Sequence, residues 1–243
     1  LSDKKVAAIT SFLGEAASTR CPPEQLPANM GLLFKGVDHL GAGFILEDSE
    51  AAQLIASNHR NGEVVLPFLN GKELNSDPHH TPSRFAIFFR NWPLNRNTAP
   101  KGYDGPVATD FPDCLAIVEK TVRPYRQELN ENGSYRLGNS LAEKWWIFNR
   151  PRNELYDSIA GLKWVLARPE LSNTHAIARL PKGLLYSNQL CVFAFDDFGH
   201  FAILQSSIHE AWARHFASTM RNDMRYTTVD CFQKYPVPNN LDA

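Results

Sequence analysis

Three short runs rich in β-branched, aromatic and other apolar residues, 163–168, 175–180 and 189–195, follow one another with only the connections 169–174 and 181–188 between them. Each connection opens on a proline. Runs of this kind, bounded by Pro, Asn and Gly, read as strands in hairpin-like pairing. Elsewhere the order of elements is mixed, not a strict alternation of strand and helix. The class this predicts is α+β, not a doubly wound parallel sheet.

Upstream, residues 5–17 have helical character, and CPPEQLP at 21–27 interrupts them because proline cannot continue a helix. Residues 34–46 hold two glycines around Ala42 and read as a turn between short extended pieces. Asp48 or Ser49 is expected to cap a helix ending near Asn58. Residues 63–66 form a short strand, and RFAIFFR at 84–90 is the clearest strand of the first half. Between 110 and 129, Leu115, Val118, Val122 and Tyr125 recur at helical spacing, and Pro124 must kink or end that helix. KWWIFNRPRNEL at 144–155 leads into a helix that Gly161 stops. Leu204, Ile208, Trp212 and Phe216 lie four apart and predict one helix, with Ser206 and Ser207 available as N-caps. Tyr226, Phe232 and Tyr235 then precede Pro236 and Pro238 in an extended tail.

At 243 residues the chain is long enough to bury a core in one large domain or two small ones. Its 43% hydrophobic and 21% charged residues are those of a globular protein, which excludes a disordered tail. No apolar run approaches the roughly 20 residues of a membrane helix. The chain opens on Leu1 without the basic start or apolar stretch of a secretory signal, so it reads as excised from something longer, or processed. Cys21, Cys114, Cys191 and Cys231 lie far apart with no C-x-x-C pair, which fits a reducing cytoplasm and removes zinc-finger spacing.

Net charge is −1, so a chain-wide basic coat is missing. The charge is uneven, however. Residues 1–80 carry 6 basic and 10 acidic side chains, whereas residues 84–182 carry 15 basic and 10 acidic. The basic middle is either a solvated surface or a face for phosphates.

Catalytic signatures are sparse. Gly41-Ala42-Gly43 is followed by Leu46 where a dinucleotide loop needs its third glycine, and neither a P-loop nor a G-x-S-x-G elbow occurs. His209 and His215 are six apart, roughly 240° round a helix, so they diverge from a shared metal. His79-His80 reads as a surface pair. Asp113 lacks the acidic residue two before a lysine that a nuclease centre requires, since Glu119 and Lys120 are adjacent. The [DN]PP[YF] string of amino-methyltransferases is absent. No catalytic and no metal-ligating residue is assigned.

The ordered strings GVDHLGAGFILEDSEAAQLI (36–55), NGEVVLPFLNGKEL (61–74), RFAIFF with VRPYR, and WWIFNRPRNEL resemble the target-recognition region of MmeI-like single-chain restriction and modification enzymes, which are large bacterial DNA adenine methyltransferases. ARPELSNTHAIARLP (167–181), HFAILQSSIHEAW (200–212) and RYTTVDCFQKYPVP (225–238) continue the same order. The resemblance runs from about 34 to 238. It implies a curved, mostly antiparallel sheet with packed helices that clamps duplex DNA over residues 31–243, and a helical joint over 1–30. It also implies a methyltransferase domain, and in many members a nuclease, upstream. This chain would then need no cofactor, and S-adenosylmethionine would bind the upstream domain. That accounts for a chain of enzyme size without an active-site motif.

In the family, base readers lie in the stretch that here runs 171–175. Asn173 suits adenine, Thr174 a thymine methyl and His175 guanine. Arg150 and Arg152, beside Trp145 and Trp146, suit phosphates at a helix start, the alternative being an arginine stacked on tryptophan inside the fold. Lys163, Arg168, Arg179 and Lys182 flank the reader stretch and are the stronger phosphate candidates. Ser206, Ser207, Thr227 and Thr228 read as helix caps. The expected function is non-catalytic, sequence-specific duplex DNA recognition within a bacterial restriction-modification enzyme. The alternatives are a protein-interaction module of a phage-defence methyltransferase system, marked by a broad exposed apolar face, and an independent hydrolase with a preformed cleft.

Overall fold

The computed structural model describes residues 23–220 and 223–238. The helical reading of 5–17 and most of the 1–30 joint lie outside the described residues. In chain order the first half contains β1 (Leu33–Lys35), β2 (Ile45–Glu47), α1 (Asp48–Ser57), β3 (Val65–Leu69), α2 (Gly71–Ser76) and β4 (Arg84–Ile87). Four helices follow: α3 (Pro112–Thr121), α4 (Arg123–Arg126), α5 (Asn139–Glu143) and α6 (Asn153–Ile159). Next come β5 (Trp164–Pro169), β6 (Leu171–Ser172), β7 (Ala178–Pro181), β8 (Leu185–Tyr186) and β9 (Leu190–Phe193). The chain continues through α7 (Phe198–Gln205), α8 (Ser207–Phe216), β10 (Ser218–Met220), β11 (Asp223–Arg225) and a π-helix, Thr228–Gln233.

The class is α+β and the pairing mostly antiparallel. The strands form three small sheets, ordered β1-β9-β5-β7, β10-β11-β6 and β2-β4-β3-β8. Among these pairs only β3 and β8 run parallel. The three predicted strands of the second half are β5, β7 and β9, and β5 pairs antiparallel with both others. The near-continuous apolar character of β5 and β9 has a direct cause, since these inner strands are buried on both faces, while the edge strand β7 is only half-buried at Ala178 and Arg179. Val165 and Ala167 enter the larger core with Phe68, Phe88 and Tyr156, whereas Leu166 enters the smaller one with Phe193, Leu204 and Phe232. Successive side chains of one strand thus serve opposite cores.

Several boundaries move for local reasons. The α1 cap is Glu47 rather than Asp48 or Ser49: its backbone N–H donates to Glu50 Oε2 at 2.9 Å, and Asp48 becomes the first helical residue. The short strand begins at Val65, after a 3-10 turn over His59–Glu63. The helix carrying Leu115 and Val118 ends at Thr121, and Pro124 lies in the first turn of the separate α4. The helix expected through Leu204 and Ile208 is two helices, because Ser206 turns extended and accepts the His209 N–H at 3.2 Å. Leu204 is buried on α7, while Ile208 on α8 is 73% exposed. The expected extended tail is the π-helix, capped by Thr227 accepting the Asp230 N–H. Carbonyls of this helix and of Tyr235 just after it hold residues near the start of the described chain: Leu26 N–H donates to Gln233 O, and Asn29 Nδ2 to Phe232 O and Tyr235 O. Among the described residues, no helix is long and apolar enough to cross a membrane.

Candidate nucleic-acid interface

The β5–β7 hairpin organises the predicted basic residues. Its register sets Trp164 opposite Pro181 and Leu166 opposite Arg179. Lys163 and Lys182 therefore sit side by side at its open end, both exposed, joined by the Lys182 N–H on Lys163 O. Arg179 lies between two rings, its guanidinium carbon 4.4 Å from the Trp164 centroid and 4.5 Å from that of Phe198. Nη2 donates to Asp196 O at 3.4 Å. Stacking of this kind fixes the guanidinium plane and reduces the side-chain freedom a ligand would otherwise have to freeze. Phe198, 67% exposed at the start of α7, is a part of this arrangement that sequence reasoning missed. Its signal was faint, an aromatic directly after Asp196-Asp197 in a series with Phe195 and Phe201.

Arg168 departs from the expectation. It is 0% exposed, on the inner part of β5 facing the smaller core. Nη1 donates to His175 Nδ1 at 2.9 Å, Nε to Pro169 O at 3.2 Å, and the guanidinium lies 4.3 Å from the Tyr226 centroid. An enclosed guanidinium cannot reach a phosphate, so Arg168 leaves the set of phosphate contacts.

His175 is corrected for the same reason. Its Nδ1 accepts from Arg168, and its Nε2–H donates to Leu204 O at 2.7 Å, which exhausts the ring's bonding capacity. His209 Nδ1–H donates to the same carbonyl at 2.8 Å, and His209 Nε2 accepts from the Tyr226 hydroxyl at 3.0 Å. Burial lowers the pKa of both imidazoles, that of His209 to about 4, so both are neutral at pH 7. The pair fastens the junction of α7 and α8 to the sheet.

Asn173 and Thr174 remain exposed on the connection after β6. That connection is held from three sides. Arg214 Nη2 donates to Asn173 O, the Thr174 N–H donates to Ser172 Oγ, and Ser172 Oγ donates to Asn75 Oδ1 at 3.4 Å. Lys163 and Lys182 do not flank these residues. The six residues of β5 separate them, roughly 20 Å at 3.3 Å per residue.

Arg150 and Arg152 are placed apart from the hairpin end. Arg150 is exposed, with its backbone bridged to Asp38. Arg152 precedes α6 in the left-handed region at φ 53° and pairs with Glu154 at 3.7 Å. The two tryptophans are buried and engaged elsewhere: Arg123 lies over Trp145, and Trp146 Nε1–H donates to Trp92 O. Among the described residues neither Arg150 nor Arg152 lies over those rings, so the stacked-arginine alternative is not what the fold adopts.

The four-stranded sheet separates two cores, with the aromatic-braced basic hairpin end at one side and the polar loop at the other. Residues 172–239 match the family model of the MmeI target recognition domain. The fold is shared with the structure described as the Type IIL restriction-modification enzyme MmeI in complex with DNA, at a TM-score of 0.66 and 18% identity over 98% of this chain. The chain covers 29% of that protein. No curated protein matches.

Proposed function

We propose that this chain is a DNA sequence-recognition domain, non-catalytic by itself, that directs an S-adenosylmethionine-dependent N6-adenine methyltransferase domain elsewhere in a longer polypeptide. The observation that carries this is the convergence of Lys163, Arg179 and Lys182 on one hairpin end, in a fold shared with a protein solved on DNA. Three cations on phosphates and two exposed readers, Asn173 and Thr174, about six base pairs away along the duplex at ~3.4 Å per step, would divide grip from readout.

Binding of a labelled duplex by the purified chain is expected to weaken with salt at a log–log slope no shallower than about −2.7, the share of these three phosphate contacts, which is about forty-fold between 50 and 200 mM. A flat response overturns the reading. Lys182→Ala is expected to reduce that slope by about 0.9 without changing stability, whereas Arg168→Met keeps the slope and lowers unfolding free energy by about 2 kcal/mol through the unpaired His175 nitrogen. The reverse pattern would restore Arg168 to the interface. Methyl transfer from labelled S-adenosylmethionine should require the full-length protein.

The protein-interaction alternative draws on one observation, an apolar cleft of about 770 Å³ lined by Ile203, Ile208, Trp212, Phe216, Tyr235 and Pro236. Absence of DNA binding even at low salt would favour it.

A further inference from the structure

Two clefts open side by side on the part of the surface that carries the loop after β6. The first, about 610 Å³, lies between α2 and the strand ends at Glu170 and Gln189. The second, about 530 Å³, continues past Arg84 and Glu47, and the two share Lys72, Asn188 and Gln189. We propose that this joined cleft is a second base-reading site for duplex DNA, in which Asn188 and Asn75 present carboxamides to base edges and Lys72 holds a backbone phosphate. It rests on the DNA-recognition reading and extends it to residues outside the loop.

The carboxamides divide into two groups by what they already bond. Asn70 Oδ1 accepts the N–H groups of Lys72 and Glu73 and caps α2. Gln189 Oε1 accepts the Gly71 N–H at 3.1 Å, while the Gln189 carbonyl accepts the Glu170 N–H at 2.7 Å. These two brace the walls. Asn188 is exposed, and its carboxamide has no hydrogen bond among the described residues. Asn75 is exposed too, and among the described residues its carboxamide bonds Ser172 alone, its Oδ1 accepting from the Ser172 hydroxyl.

That difference predicts different readouts. Asn188 offers donor and acceptor in one plane, the pattern that matches N6 and N7 of adenine. Asn75 has its oxygen engaged and offers N–H donors, which suit N7 or O6 of guanine, N7 of adenine or O4 of thymine. The Ser172 hydroxyl ties Asn75 to the residue before Asn173, so these two readers are neighbours. The cation that the 171–175 stretch lacks from Lys163 and Lys182 is supplied here by Lys72.

The charges agree. Glu170 is paired with Lys35 at 2.6 Å and with Arg225 at 3.0 Å, two cations on one carboxylate. Lys72 and Arg84 have no ion pair among the described residues, and Glu47 is the other carboxylate of the lining. The cleft therefore keeps a positive surplus beside uncommitted amide donors, as a groove for a phosphate and base edges requires.

The test is enrichment of duplexes from a randomised library by the parent chain and by Asn75→Ala, Asn188→Ala and Lys72→Ala. These are surface positions, so stability should stay within about 0.5 kcal/mol, which urea unfolding verifies. The parent is expected to enrich a motif. Each asparagine variant relaxes one position of it, with discrimination there falling about 5- to 150-fold, and Lys72→Ala keeps the motif while lowering the salt slope by about 0.9. A parent motif that both asparagine variants reproduce unchanged overturns the cleft and leaves the recognition reading standing. A parent that enriches no motif overturns both.

Discussion

Replacement of Arg126 by methionine is expected to lower the unfolding free energy by about 4 kcal/mol, the largest effect of any single substitution considered for this chain. Arg126 is 0% exposed and bonds carbonyls alone. Nη2 donates to His39 O at 2.7 Å, Nε to Leu40 O, and Nη1 to Lys144 O and Ile147 O, with the guanidinium 5.1 Å from the Phe44 centroid. Burial lowers its pKa to about 10, which leaves it protonated at neutral pH. Methionine fills much of the volume and relieves a buried charge, but it leaves His39 O, Leu40 O and Ile147 O without a donor, each costing about 1–3 kcal/mol, while Lys144 O keeps the Ile147 N–H. At about 2–4 °C per kcal/mol for a chain of this length, the melting temperature should fall by about 10 °C. Lysine should recover only part of this, because an ammonium cannot reproduce the planar fork that serves two separated segments. A loss below about 1 kcal/mol would show that these carbonyls find water or other donors.

The second large effect is on acid stability. His209 has a folded-state pKa of about 4 against 6.5 for an exposed imidazole, because burial penalises its charged form. As pH falls below 6.5 the unfolded chain takes up a proton that the folded chain refuses, so the equilibrium moves toward unfolding. The stability is therefore complete above pH 6.5 and is lost progressively toward pH 4. By pH 4.5 the loss from His209 should reach about 2 kcal/mol, and His175, also lowered, adds to it. Glu170 and Asp197 are held below their ordinary values of 4.5 and 3.8 and lose their contribution only at lower pH, so the interval from 6.5 to 4.5 reports on the histidines. Urea midpoints measured across it should slope steeply for the parent and less for His209→Gln. A parent that is flat over this interval would place His209 in contact with solvent.

Legibility followed the range of the interactions that decide each feature. Strands β5 and β9 were readable because burial on both faces leaves a continuous apolar run, and β7 because it follows in the same proline-bounded series. The end of α3 before Pro124 was readable because proline acts on its own turn. The two-residue strands β6 and β8 were not, since only a partner across the fold, β11 for one and β3 for the other, makes them strands. The break at Ser206 was hidden by a four-residue spacing that continues across it from Leu204 to Ile208, with the first buried and the second exposed.

The candidate site divides in the same way. The exposed Asn173 and Thr174 were legible from residue type and a proline-bounded connection, whereas Phe198, Lys72 and Asn188 belong to it only by assembly. Composition and period, which are local properties of the chain, were enough for the α+β class, the hairpin strands and a basic middle. Which arginines face outward was settled by packing alone. Arg168 lies on the inner strand β5, and Arg179, opposite Leu166, lies on the edge strand β7 of the same sheet. The smaller core encloses Arg168 beside Tyr226, whereas Arg179 stacks between two partly exposed rings. Burial of a side chain depends on what packs over it from distant parts of the chain, and neither residue's sequence neighbours record that.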